Sequence, residues 1–100
     1  MLTASLRLVF RLPEARSLKD KRRVRNRIRD RVRARFEVVI NEVEELDEHR
    51  RLVLGVAAVG NDRRVLESLL DKVIRYVDEL YMAERVSAER EVWSFFEPES

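Results

Sequence analysis

Cysteine is absent from the 100 residues, which excludes disulfides, thiolate nucleophiles and thiolate metal sites. A chain without disulfides suits a reducing compartment, so the cytoplasm is the expected location. Glycine and proline occur only twice each. That leaves no glycine-rich loop to cradle phosphate and no flexible or proline-rich linker. Histidine occurs once, at His49, inside a charged stretch. One loop histidine without cysteine is too little for a nucleophile–base pair or a metal centre. Apolar runs are short, and none approaches the roughly 18 residues of a membrane span. The N-terminal segment alternates in hydropathy and places its charges after the apolar part, the reverse of a signal peptide. Together these absences predict one domain, residues 1–100, with no membrane segment, cofactor, metal or small-molecule substrate, and no enzymatic activity.

What the sequence has in excess is arginine, 18 residues against three lysines. Net charge is only +2, but it is unevenly spread. Residues 16–35 carry 11 Lys or Arg against Asp20 and Asp30, while the other 80 residues carry 10 basic and 17 acidic side chains. From Glu37 to Glu48 there are six acids and no base. Such asymmetry points to an anionic partner, and codon bias in a GC-rich genome is the competing source of arginine.

Hydropathy patterning predicts the elements. Leu2, Ala4, Leu6, Leu8, Phe10 and Leu12 alternate with polar or exposed positions, the period of a strand with one buried face. Pro13 ends it. Ser17 and Asp20 read as a helix start, with the Ser17 hydroxyl accepting a first-turn N–H. Val24, Ile28 and Val32, at spacing four, give a narrow apolar stripe on a helix of 17–35. Lys21, Arg25, Arg31 and Arg35 flank that stripe, where their stems can snorkel. Phe36, Val38 and Ile40 open a second strand, and residues 44–50 form a turn. Leu52–Val59 is almost wholly apolar, as a strand covered on both faces must be. Gly60-Asn61-Asp62 breaks the chain and caps a helix of 62–81, whose apolar side holds Val65, Leu66, Leu69, Leu70, Val73, Val77 and Leu80. Val86, Ala88 and Val92 mark a last strand at 84–93. The order β-α-β-β-α-β predicts an α+β, ferredoxin-like split β-α-β sandwich. Its antiparallel sheet has strand order 4-1-3-2, with both helices on one face. The even positions of the first strand then meet the helices, and the odd positions lie on an open face.

The run Arg16-Ser17-Leu18-Lys19-Asp20-Lys21-Arg22-Arg23-Val24 resembles the YlxP-like family of bacteria, a domain of unknown function. Arg35-Phe36, Glu42-Val43 and Val59-Gly60-Asn61-Asp62 extend the similarity over about residues 2–93. The resemblance implies the same ferredoxin-like fold. It also implies a translation or ribosome setting, because the family's gene often lies beside translation-initiation and ribosome-maturation genes. One segment departs from the family pattern. A His/Gln/Asp-rich stretch followed by Trp is replaced here by Glu44–Arg51.

Two surfaces remain as functional candidates. On the basic helix, Lys19, Lys21, Arg22, Arg23, Arg29 and Arg33 are the expected contacts to a nucleic-acid backbone, since guanidinium groups bind phosphate oxygens in pairs. RNA or a ribosome is the expected partner. On the open sheet face, Val39, Val43, Val53, Val59 and Trp93 are the expected self-association residues of a homodimer. That face lacks the stacked aromatics of an RNA-recognition sheet. The alternative function is a dimeric structural or regulatory module with a protein partner and no nucleic-acid role.

Overall fold

A computed structural model describes residues 1–96. The elements run β1 (Leu2–Arg11), α1 (Leu18–Arg35), β2 (Val39–Glu44), β3 (Arg51–Gly60), α2 (Arg63–Glu79) and β4 (Glu84–Ser94). The sheet is fully antiparallel, in the order β2-β3-β1-β4, so the expected 4-1-3-2 arrangement is found. β1 pairs with β3 along its whole length, from Leu2 opposite Gly60 to Arg11 opposite Arg51.

Alternation in β1 sorts its side chains as the pattern requires. Ala4, Leu6, Leu8 and Phe10 are buried and join Leu52, Leu54, Val56 and Ile40 in one core with the helices. α1 contributes Ile28 and Val32; α2 contributes Leu66, Leu70, Val73 and Val77. Val65 was expected on that apolar side but is 63% exposed, because it falls beyond the edge of the stripe.

Both helix starts are capped by side chains. Ser17 Oγ accepts from the Asp20 N–H at 3.2 Å, and Asp20 Oδ2 accepts in turn from the Arg16 N–H at 2.9 Å. Asp62 Oδ1 accepts from the Arg64 and Val65 N–H groups. α1 ends one step earlier than the pattern suggested a strand should begin. Phe36 caps the helix, its N–H bonded to the Val32 carbonyl, and its ring meets Tyr76 edge-on at 5.6 Å. Phe36 is thus a helix–helix spacer, and β2 starts at Val39. α2 ends before Leu80, and Tyr81 takes a left-handed φ of 52°.

Gly55 is needed for close approach. β2 bulges between Glu42 and Glu44, and this brings Val43 over β3. A Cβ at position 55 would stand 2.9 Å from Val43 Cγ1.

Replacing Asp62 by Ala leaves two first-turn N–H groups of α2 without their acceptor. The expected cost is about 1 kcal/mol, with little loss in Asp62→Asn, measured as the midpoint shift in urea unfolding.

Candidate functional site

α1 packs through Val24, Ile28 and Val32, so its 3.6-residue turn leaves more than half its circumference to polar groups. Lys19, Arg22, Arg23, Arg27 and Arg31 are exposed and make no ion pair among the described residues. Arg23, Arg27 and Arg31 form one row at spacing four. Successive members climb about 6 Å, and like charges so placed repel.

The other expected contacts are partly engaged within the fold. Arg29 lies 3.4 Å from its neighbour Asp30 and is largely covered. Arg33 donates to the Ile40 carbonyl at 3.2 Å. Arg35, at the end of the row, stacks its guanidinium over the Tyr76 ring at 4.8 Å. Arg29 faces a carboxylate, whereas the partners of Arg33 and Arg35 are an uncharged carbonyl and a ring.

Lys21 does not belong to the surface. Its residue is 1% exposed, and its ammonium sits beneath α1, facing the β2–β3 connection. Nζ donates to the carbonyls of Glu45 (3.0 Å), Arg51 (3.2 Å) and Leu46 (3.4 Å). Glu42 Oε2 stands 2.7 Å away, while Glu42 Oε1 receives Arg25 at 3.2 Å. The approach at Oε2 is close but off the line of an N–H···O hydrogen bond, so this contact is chiefly an ion pair. Lys21 is therefore corrected from a phosphate contact to a structural anchor. The physical reason is that a four-carbon stem from the flank of the stripe reaches inward as readily as outward. Here it finds the carbonyls of Glu45, Leu46 and Arg51 converging. Glu42, one of the six acids of the 37–48 segment, is likewise covered. Sequence reading missed this pair. The available signal was the even spacing of Ile40 and Glu42, which puts both on the covered face of β2.

Elsewhere the fold gathers acids away from the outer side of α1. Arg85 holds Asp78 through both carboxylate oxygens (2.8 and 2.9 Å), and Arg90 holds Glu67 and Asp71. Three acids of α2 are thus drawn to β4. The hydrogen bonds with Asp78 and Asp71, respectively, hold Arg85 and Arg90 even more firmly in the charged form. On the open face Arg7 reaches across β3 to Glu44 (2.6 Å) and also meets Glu89 (2.9 Å). Its hydrogen bonds to Glu44 hold that carboxyl below its ordinary value.

The open face is split by this bridge. Val53, opposite Glu44, is fully buried beside Val9, so it is corrected from a self-association contact to a satellite core residue. The Arg7–Glu44 bridge spans β3 at its level, a cover no strand pattern can reveal. Val39, Val43, Val59 and Trp93 are 61, 50, 68 and 64% exposed. Trp93 donates its indole N–H to Glu91 at 3.0 Å.

Among the described residues no group of three or more His, Cys, Asp or Glu side chains converges on a metal-sized space. No helix there is long and apolar enough to cross a membrane.

Fold and charge layout together define a small α+β sandwich with a cationic outer helix and an apolar-patched open sheet. The chain belongs to the family described as "Protein of unknown function (DUF503)", whose model matches residues 3–90. It is similar to the "Uncharacterized protein YlxP" of Bacillus subtilis (strain 168), 39% identical over 72 residues, which are 72% of this chain and 78% of that protein. The YlxP-like resemblance read from the Ser17–Arg23 run is thereby borne out.

Two measurements test the anchors. Lys21→Met leaves Glu42 with Arg25 alone and the Leu46 and Arg51 carbonyls without the ammonium, so unfolding in urea should show a loss of about 1–3 kcal/mol. A cycle with Glu42→Leu should return a coupling of about 1–3 kcal/mol. For Arg7–Glu44, the folded carboxyl titrates below its unfolded value. Its stabilisation is therefore complete above the unfolded value and is lost as pH falls through the folded one. The melting difference between the wild type and Glu44→Gln should be present at neutral pH and close under acid.

Proposed function

We propose that the protein is a non-enzymatic, cytoplasmic RNA- or ribosome-associated factor that contacts phosphate through α1. The observation that carries this reading is the row Arg23, Arg27 and Arg31, exposed and without an ion pair among the described residues. Lys19 and Arg22 adjoin it. Three arginines held at one spacing on a rigid element repel one another in the free protein. An anionic backbone relieves that repulsion and gives each guanidinium two oxygens to bind. Phosphate contacts of this kind give affinity with little sequence readout. The open sheet supports no base-reading role, because its central positions are Ser5, Arg7, Gly55 and Ala57 rather than aromatics. The family's gene setting beside ribosome-maturation genes favours RNA as the polyanion.

With one phosphate neutralised by each of the three arginines, single-stranded RNA binding should fall with salt at a log–log slope of about −2. Arg23→Glu/Arg27→Glu/Arg31→Glu should abolish binding in a fluorescence-anisotropy titration while the melting transition stays in place. An undiminished RNA affinity in that folded variant refutes the reading.

A further inference from the structure

We propose that the open face of the sheet is the seat of a second copy of this chain, forming a two-fold sandwich in which Trp93 of each copy packs on Val39 and Val59 of the other. The proposal concerns the face opposite α1 and does not rest on the RNA reading.

Strand register places the relevant side chains in rows. Val59, Thr3 and Trp93 lie side by side across β3, β1 and β4. Val39, Ala57, Ser5 and Glu91 form the next row, and Asn41, Gly55, Arg7 and Glu89 the one after. The centre of the face is thus paved with small groups, Ser5, Ala57 and Gly55. Large apolar groups stand at both sides, Val39 and Val43 on β2 and Trp93 on β4. A hollow of about 570 Å³ runs along the centre between them, bordered by Val39, Val43, Ala57 and Glu91. A second of about 570 Å³ adjoins it at Thr3, Val39, Ala57 and Val59.

That layout fits its own two-fold image. Rotation about an axis parallel to the strands, between β3 and β1, keeps each row level and sets β4 over β2 of the other copy. Trp93, level with Val59, then arrives over the Val39–Val59 hollow, and the reverse contact follows by symmetry. Indole is a flat apolar group that can lie in part of a hollow bordered by Val39 and Val59. The acids of the face, Glu44, Glu89 and Glu91, outnumber Arg7, and the stacking keeps Glu89 and Glu91 on the edge strand β4, at the solvent rim. Arg7, the cation at the centre, is already held by Glu44 and Glu89. Glu91 arrives on the side where Arg33 and Glu37 both border the hollow.

The area is of the right order for a second copy. Strands of 10, 6, 10 and 11 residues present a footprint of about 600 Å² before side-chain relief is counted. Specific pairs bury about 800 Å² per partner. Sheets packed this way lie about 10 Å apart, which leaves both α1 helices on the outside.

Trp93 is the one tryptophan of the chain, so its fluorescence reports the contact directly. Sedimentation of the full chain from micromolar to millimolar concentration should show a monomer–dimer equilibrium. Trp93 emission should move to shorter wavelength in step with the dimer fraction. Trp93→Ser removes the inserted group, and Val59→Arg obstructs its receptacle. Both positions are exposed, so both variants should melt like the wild type, and each should weaken association by about tenfold or more. A monomer over the whole range overturns the proposal. So does a dimer whose constant ignores both variants, or whose formation leaves Trp93 emission unmoved.

Discussion

The ammonium of Lys21 ties together parts of the chain that share no secondary structure. It joins the first turn of α1 to the end of β2 through Glu42, and to the β2–β3 connection through three carbonyls. Burying an unpaired charge costs several kcal/mol, so the position of each partner is constrained by the others. The connection carries Glu45 in a left-handed conformation, φ 53°. A non-glycine residue holds that conformation only where its surroundings fix it. Lys21 bonding to the Glu45 carbonyl is such a fixing contact.

This recasts the sequence run by which the family is recognised. Ser17 caps α1, Asp20 closes the turn before it, and Lys21 anchors the opposite loop. Leu18 is half-buried. Four of the six residues in Ser17–Arg22 are therefore occupied with building the helix start and seating it on the sheet. Lys19 and Arg22 are the members exposed to solvent. The run is thus in large part a folding device.

Charge segregation follows from the same packing. β4 offers Arg85 and Arg90 to the acids on one side of α2, and β1 offers Arg7 to acids of both edge strands. Almost every well-formed pair thus lies at the sheet. The outer side of α1 has only Asp20 and Asp30 among its many cations, and Asp20 is spent on its cap. A protein of small net charge consequently presents one strongly cationic surface. The opposite surface, the open sheet, has apolar groups at its rim, and at its centre Arg7 is outnumbered by Glu44 and Glu89.

Period-two alternation in β1, the apolar run of β3 and the 3.6-residue stripe of α2 determined the order of elements, the sheet topology and which face of β1 meets the helices. Those patterns are local consequences of backbone geometry, and a sequence displays them openly. The helix caps at Ser17 and Asp62 were equally legible, because a cap and its N–H lie two or three residues apart. Tertiary structure alone decided the rest. Phe36 became a spacer because Tyr76 stands across from it, Val53 became covered on the side where Glu44 lies opposite it and bonds to Arg7, and Lys21 turned inward because three carbonyls and Glu42 await it. Whether a cation faces water or a buried carboxylate depends on groups 20 to 40 residues away. No spacing along the chain encodes that distance before the chain has folded.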